Sequence, residues 1–176
     1  MEIHRPIPPE GRQGAAPPTV SVVIPTYNEA ESITPLVAGL AQHLGRAGIT
    51  YEIIVVDDDS PDGTWRRAME AAGGDGRVRV IRRLGERGLA SAAVRGWQEA
   101  GGEILALMDG DLQHPPEVLA ELVRAVEAGA CVAVASRYVA GGGVYRPTVL
   151  RSAVSWLGGR LAAWVAPGAA RVRDPL

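Results

Sequence analysis

The chain has 176 residues, of which 47% are hydrophobic and 22% charged, values that suit one globular domain with a sizeable core. The formal net charge of −2 gives no support to a nucleic-acid partner. The single cysteine, Cys131, excludes a disulfide framework and a zinc site. Its place in the apolar run 130–135 predicts a buried, inert thiol.

The first segment, residues 1–19, has five prolines and no apolar core, so it is typical of neither a signal peptide nor a membrane span. We interpret it as a flexible tail. Because the sequence shows no export signal, we expect the protein in the cytosol.

Apolar, β-branched runs then alternate with segments of helical periodicity. The predicted strands are Val20–Ile24, Tyr51–Val56, Val78–Ile81, Glu103–Met108 and Ala130–Ser136. The predicted helices are Glu29–Gly45, one that begins near Asp62 with Ala68, Met69 and Ala72 as apolar positions, Leu89–Ala100 and Pro116–Gly129. This alternation predicts an α/β fold with a mainly parallel sheet and helices on both faces.

The pattern changes after Tyr138. A glycine-rich loop at residues 140–143 precedes Val149–Val165, which can form an amphipathic helix with two arginines. This helix is shorter than the roughly 20 apolar residues that a membrane-spanning helix needs. Two interpretations stay open: packing against a neighbouring element, which the sequence favours, or lying on a membrane surface.

Polar residues are concentrated where the predicted strands end. In open parallel sheets, ligands bind beyond the carboxyl ends of the strands. The segments at those ends are residues 25–29, 57–63, 109–111 and 137–138. The sequence therefore predicts a ligand site at this edge of the sheet.

Asp109 and Asp111 follow the fourth predicted strand. Residues two apart in a strand point the same way, so the two carboxylates would repel each other unless a cation or a proton intervened. Mg²⁺ and Mn²⁺ accept one or two carboxylates and take their other ligands from water and substrate phosphate. Gln113 can add a carbonyl oxygen. A solvated turn before the next helix is the alternative that spacing alone leaves open.

Three consecutive acids, Asp57, Asp58 and Asp59, follow the second predicted strand. They can accept hydrogen bonds from a base or a ribose, or they can serve the turn into the next helix. Asp62 can cap that helix. On spacing alone, both interpretations stay open.

Two arginines are candidates for binding phosphate, which a guanidinium group matches with paired hydrogen bonds. Arg137 directly follows the fifth predicted strand, so we expect it to point into the same crevice. Arg151 lies in the last helix, where the sequence alone favours a solvated side chain.

Five segments together resemble the inverting family 2 glycosyltransferases, and within them the dolichol-phosphate (polyprenol-phosphate) mannose synthases. These segments are Pro25–Glu29, Val55–Thr64, Gly88–Ala92, Met108–Glu117 and Ala135–Tyr138. The resemblance runs from about Val20 to the last residue, and five motifs in the right order are far more specific than any one of them.

The resemblance implies a GT-A fold, a nucleotide-sugar donor that is usually GDP-mannose, and a polyprenyl phosphate acceptor at the cytoplasmic face of a membrane. The residues it assigns to the donor are Pro25, Tyr27, Glu29, Val56, Asp58, Asp109, Gly110, Asp111 and Arg137. It assigns Mg²⁺ or Mn²⁺ to Asp109, Asp111 and Gln113, and the catalytic roles to Asp111, Arg137 and Arg151. Gly110 departs mildly from the alanine common in this branch, and Trp156 and Leu157 depart from its usual Arg-Gly.

The resemblance also implies a division of the chain. We expect a tail at residues 1–19, a nucleotide-sugar-binding core at 20–138, and an acceptor loop and helix at 139–176. Residues 172–176 are similar to the beginning of a longer family motif, so we expect a chain that is truncated at its carboxyl end.

The predicted function is metal-dependent transfer of a hexose, most simply mannose from GDP-mannose, to a polyprenyl phosphate with inversion. Two alternatives stay open: transfer of glucose or another sugar from a UDP-sugar to a lipid phosphate or a saccharide, and a nucleotide-sugar-binding module without transfer. A dinucleotide-dependent oxidoreductase is rejected, because Pro25–Glu29 stands where G-x-G-x-x-G would follow the first strand.

Overall fold

The computed structural model describes residues 17–135. Four strands alternate with four helices in this part of the chain. In order they are β1 (Val20–Thr26), α1 (Ile33–Arg46), β2 (Tyr51–Asp57), α2 (Thr64–Ala72), β3 (Val78–Arg82), α3 (Leu89–Gln98), β4 (Ile104–Leu107) and α4 (Val118–Glu127). All eight belong to the first of two units into which the chain divides, and this unit ends at Ala133.

The four strands form one parallel sheet in the order β3-β2-β1-β4. Val20 of β1 is opposite Tyr51 of β2 on one side and Ile104 of β4 on the other. The chain builds outward from β1 through β2 to β3 and then crosses back to place β4 on the free side of β1. The order of strands therefore reverses between β1 and β4, which is where open α/β sheets bind ligands. The predicted α/β architecture is confirmed.

The core has two parts because successive strand residues point to opposite faces of the sheet. Val22 and Ile24 point to the face covered by α1, α2 and α4, while Val23 points to the face covered by α3. Helix α3 approaches β1 closely at Gly96, where an added Cβ would clash with Val23. The sequence predicted helices on both faces; of the four helices in residues 17–135, three lie on one face and one on the other.

Some element boundaries differ from the expected ones. Helix α1 begins at Ile33 rather than Glu29, because the backbone carbonyl of Glu29 accepts hydrogen bonds from the N–H groups of Ser32 and Ile33 in the turn before the helix. Helix α4 begins at Val118 rather than Pro116, because the N–H groups of Val118 and Leu119 bond to the carbonyls of Pro115 and Pro116, only three residues back, in a turn before the helix. In α2 the predicted apolar position Ala68 is buried, whereas Met69 is 58% exposed.

The predicted fifth strand is wrong for the part that the structure describes. Residues 131–135 form no strand, Cys131 is exposed, and Val132 is 76% exposed. A strand needs a neighbour for its backbone N–H and C=O groups, and none of the described strands pairs with this segment. The apolar pattern therefore misidentified both the strand and the buried thiol.

Several predictions lie outside the described residues. They concern Arg137 and Arg151, the amphipathic segment Val149–Val165 and most of the amino-terminal tail. Among the helices of residues 17–135, none is both long enough and apolar enough to span a membrane.

Candidate functional site

A cleft of about 250 Å³ lies at the carboxyl ends of β1, β2 and β4, beside the first turn of α3. It sits at the position where the strand order reverses. The residues that line it are Pro25, Thr26, Tyr27, Glu29, Asp58, Leu89, Ala92, Asp109, Gly110 and Asp111. The structure thus brings together the predicted donor-site residues of three separate strand ends.

The loop after β1 is held by the turn after β2. Three consecutive backbone N–H groups of the first loop donate to three side chains of the second. These bonds run from Asn28 to Ser60 Oγ (3.0 Å), from Glu29 to Thr64 Oγ1 (2.8 Å) and from Ala30 to Asp62 Oδ2 (3.1 Å). The polar residues of the turn therefore fix the backbone on which Tyr27 and Glu29 are presented to the cleft.

The three consecutive acids have three different surroundings. Asp57 is fully buried and accepts hydrogen bonds from Thr26 Oγ1 (2.9 Å) and the Ser60 N–H (2.8 Å), so it serves the turn. Asp59 lies on the surface and accepts a hydrogen bond from Arg82 Nε (2.6 Å). Only Asp58 among the three lines the cleft. Spacing left two interpretations open, turn formation and ligand contact. Asp57 serves the turn, whereas Asp58 is placed to contact a ligand.

Asp62 organises the start of α2. Its Oδ1 accepts hydrogen bonds from the N–H (3.0 Å) and Oγ1 (2.6 Å) of Thr64. Burial raises the pKa of Asp62, but the hydrogen bonds from Thr64 and Ala30 and the charge of Arg67 outweigh it, so the pKa lies below its ordinary value. The predicted role of Asp62 at the helix start agrees with this geometry, although the cap position itself is Gly63.

The carboxylate of Asp58 is held from behind by the buried side chain of Arg83. Arg83 Nε donates to Asp58 Oδ1 (2.7 Å), and the backbone N–H of Gly88 donates to Asp58 Oδ2 (2.7 Å). A carboxylate can accept about four hydrogen bonds, so acceptor capacity remains for a ligand in the cleft.

Tyr27 stands at the rim of the cleft with 40% of its surface exposed. The guanidinium carbon of Arg87 lies 4.5 Å from the centre of its ring, within the range of a cation–π interaction. This contact brings a positive charge to a cleft whose lining contains four acids.

The turn after β4 presents Asp109 and Asp111 to the cleft. Asp111 Oδ1 accepts a hydrogen bond from the backbone N–H of Gln113 (3.0 Å), and Leu112 has a positive φ of 60°. Gly110 between them is buried, and a Cβ added there would lie 3.2 Å from Glu29 Cγ and from Thr26 Cγ2. The glycine therefore lets the two acids approach the loop after β1 closely.

These residues fit a hard divalent cation. Among residues 17–135, no group of three or more His, Cys, Asp or Glu side chains is arranged to hold a metal ion without other ligands. Asp109 and Asp111 supply two carboxylates on one cleft, and Mg²⁺ in proteins commonly takes its remaining ligands from water and substrate phosphate. The side chain of Gln113 is exposed beside them, and its role as a ligand stays a prediction.

Three further residues near the cleft, Val56, Arg83 and Arg87, are not part of its lining. The side chain of Val56 is fully buried in the core against α3, so only its backbone can face a nucleotide. No role for Arg83 or Arg87 was predicted from the sequence. Both lie just before the Gly88–Ala92 motif, whose residues Leu89 and Ala92 line the cleft, and this proximity is the signal that could have identified them.

A family model of glycosyl transferase family 2 matches residues 21–164. The chain belongs to this family. It is 45% identical over 162 residues to the dolichol-phosphate mannosyltransferase of Pyrococcus furiosus, covering 89% of this chain and 44% of the relative. It is 44% identical over 150 residues to the polyprenol monophosphomannose synthase of Mycolicibacterium smegmatis, covering 78% of this chain and 55% of the relative. The chain spans about half the length of these relatives.

Solved structures agree on the GT-A fold. Glucosyl-3-phosphoglycerate synthase from Mycobacterium tuberculosis in complex with uridine diphosphate superposes with a TM-score of 0.63 at 25% identity, covering 90% of this chain and 54% of that one. Another structure of the same synthase, in complex with Mn²⁺, uridine diphosphate and glucosyl-3-phosphoglycerate, has a TM-score of 0.66 at 24% identity and supports the fold alone.

Proposed function

We propose that this protein carries the donor site of an enzyme that transfers mannose from GDP-mannose to a polyprenyl phosphate, with inversion at the anomeric carbon. One observation carries the proposal. The cleft at the switch in strand order places Asp109 and Asp111 together with Tyr27, Glu29 and Asp58, in a chain 45% identical to a dolichol-phosphate mannosyltransferase.

The cleft residues divide by the part of the donor that they would hold. Tyr27, Glu29 and Asp58 offer a ring and hydrogen-bond acceptors to the nucleoside. Asp109 and Asp111 hold the divalent cation and with it the diphosphate. When bound, Mg²⁺ or Mn²⁺ supplies Lewis-acid stabilisation of the departing diphosphate.

The acceptor in this proposal is itself a nucleophile. A phosphate monoester has a second pKa near 6, by analogy with phosphorylated side chains, and is therefore largely dianionic at pH 7. No protein base is required, so the task left to the protein is positioning. We assign that task to Arg137, near the end of the core 20–138, and to Arg151 in the acceptor region 139–176, at the cytoplasmic surface of a membrane where the polyprenyl chain resides.

A second donor is supported by a specific observation. The structural neighbour at 25% identity is a synthase in complex with uridine diphosphate, so a UDP-sugar such as UDP-glucose is the competing candidate. The same binding experiment separates the two nucleotides.

The test is calorimetric titration of this chain with GDP-mannose and with UDP-glucose, each with and without Mn²⁺. We expect GDP-mannose to bind in the presence of Mn²⁺, and Asp111→Ala to weaken that binding by about tenfold or more, because removing a carboxylate ligand leaves the cation poorly held. Glu103→Ala is the matched control, since it removes an exposed carboxylate just before β4, at the other end of the strand.

Three results would contradict parts of the proposal. Tighter Mn²⁺-dependent binding of UDP-glucose would replace mannose by the second donor. Equal binding by the wild type and Asp111→Ala would remove the metal assignment. Failure of the wild type to bind either sugar nucleotide would overturn the donor site as a whole.

A further inference from the structure

Two adjacent arginines form ion pairs with two adjacent aspartates, but in opposite environments. The side chains of Arg82 and Asp59 are 42% and 41% exposed. The side chains of Arg83 and Asp58 are 3% and 8% exposed. Burying two charges costs several kcal/mol of desolvation, so a buried ion pair is weak evidence for a purely stabilising role. The Arg83–Asp58 pair therefore calls for another explanation.

The guanidinium group of Arg83 connects three segments around the cleft. Its Nε and Nη2 contact Asp58 at the end of β2, and its Nη1 donates to Ser91 Oγ in the first turn of α3 (3.0 Å) and to Glu86 Oε2 (3.2 Å). Nη2 also donates to the carbonyl oxygen of Gly88 (3.1 Å). All three nitrogen atoms of the group thus have partners in the structure.

Gly88 is held at both of its backbone polar groups. Its N–H donates to Asp58 Oδ2 and its carbonyl accepts from Arg83. Its φ of 132° is a conformation that side-chain-bearing residues rarely adopt, and Leu89, the next residue, lines the cleft. The loop between β3 and α3 is therefore connected to Asp58 in two ways, directly through the Gly88 N–H and indirectly through Arg83.

We propose that Arg83 is a positioning residue for the nucleoside part of the donor. It does not belong to the described lining of the cleft, and it acts through Asp58 and Gly88. It orients the Asp58 carboxylate so that the remaining acceptor capacity faces the cleft. This inference rests on the proposed function, because it takes the cleft to be a nucleotide site. A lysine cannot replace it fully, since one ammonium group cannot reproduce a planar fork with separate partners on each nitrogen.

The experiment compares two probes on the same protein by calorimetry in Mn²⁺: GDP, which has a nucleoside, and inorganic pyrophosphate, which has only the diphosphate. We expect Arg83→Met to weaken GDP binding by about tenfold while pyrophosphate binding stays within about twofold. Arg83→Lys should lie between Arg83→Met and the wild type. Arg82→Met is the matched control, because it removes the neighbouring exposed pair, and it should change neither affinity.

A double-mutant cycle with Asp58→Asn tests whether Arg83 acts through Asp58. In the Asp58→Asn background, Arg83→Met should lower GDP affinity by less than about threefold, because the group that it positions is already altered. If Arg83→Met does not fold, Arg83→Lys replaces it in the experiment, and we again expect GDP affinity to fall more than pyrophosphate affinity.

Several outcomes would overturn the inference. Equal loss of GDP and pyrophosphate binding would indicate a general structural defect. Unchanged GDP binding, or fully additive effects in the cycle, would exclude positioning through Asp58. Failure of the wild-type protein to bind GDP or UDP would instead contradict the proposed function, so the two failures are distinguishable.

Discussion

Two buried carboxylates lie near opposite ends of β2, and both pair with an arginine. Glu52, at the start of the strand, accepts hydrogen bonds from Ser21 Oγ (2.6 Å), the Gly101 N–H (2.6 Å) and Arg79 Nη2 (3.0 Å). Asp58, just beyond the end of the strand, pairs with Arg83 and Gly88 and lines the cleft. The chemistry is the same at both ends, but Asp58 lines the cleft, whereas the side chain of Glu52 is enclosed and only 1% exposed.

The two ends of the sheet differ in whether a buried carboxylate can reach a ligand. At the amino-terminal ends of the strands, Gly102 donates its N–H to Ser21 Oγ (2.8 Å), so the segment before β4 is fastened directly to β1 and the Glu52 carboxylate is enclosed. At the carboxyl ends, the loops diverge around the cleft and leave carboxylate oxygens accessible. The same kind of Arg–carboxylate pair is therefore enclosed at one end of the sheet, whereas at the other end it lies behind a cleft, where we propose that it orients a binding group.

Removing the carboxylate at the closed end should have the largest effect on stability. Glu52→Ala removes the buried acceptor of Ser21 Oγ, the Gly101 N–H and Arg79 Nη2. The side chain of Arg79 is 24% exposed and still has the Glu99 carboxylate 3.9 Å from its Nη1, so we expect a loss of about 3 kcal/mol, at the low end of the cost of breaking a buried ion pair. Urea unfolding should show that loss. Pyrophosphate binding in Mn²⁺ should stay near the wild-type value under conditions in which the variant is folded, because Glu52 is remote from the cleft. A loss below about 1 kcal/mol would mean that the pair at this end is dispensable.

The sequence predicted the parts of this comparison that depend on local pattern. The β-branched runs located β1 to β4 to within two residues at each end, and the strand-end rule located Asp58, Asp109 and Asp111 on one cleft. The GT-A assignment rested on the resemblance, and the family match confirms it. These features succeed because alternation and turn chemistry are readable over a few residues.

Long-range pairings could not be predicted in the same way. Arg83 and Asp58 are 25 residues apart, and Glu29 and Thr64 are 35 apart, so no local pattern joins them. The prediction of a strand at residues 131–135 failed because its local pattern was not matched by a long-range partner. The apolar pattern is typical of a strand, but no described strand pairs with this segment. In each of these three cases the structure depends on which distant residues come together, and local sequence propensity does not contain that information.

A smaller effect, which depends on pH, is expected at the turn after β2. The pKa of Asp62 is lowered in the folded protein, so its carboxylate stabilises the fold above the unfolded-state pKa of about 3.9 and loses that contribution as the pH falls. Asp62→Asn should therefore be less stable than the wild type at pH 7, by less than about 1 kcal/mol because the group is exposed. The difference should shrink below about pH 4. Thermal unfolding from pH 7 to pH 3 measures it, and a difference that grows toward acid would contradict the assignment.

The smallest effect tests how closely the metal turn approaches the loop after β1. In Gly110→Ala the new Cβ would lie 3.2 Å from Glu29 Cγ and from Thr26 Cγ2, so both must move by a few tenths of an ångström. The Glu29 side chain is flexible, whereas Thr26 is buried in β1 and its Oγ1 donates a hydrogen bond to Asp57 Oδ2. We therefore expect Glu29 to absorb most of the shift, with GDP binding in Mn²⁺ weakened by no more than about threefold. Gly76→Ala, with open space around its Cβ, is the control. A loss greater than threefold in Gly110→Ala would contradict this expectation. It would show that the two loops at the carboxyl ends of β1 and β4 pack too tightly to accept a methyl group, and that their spacing controls donor affinity.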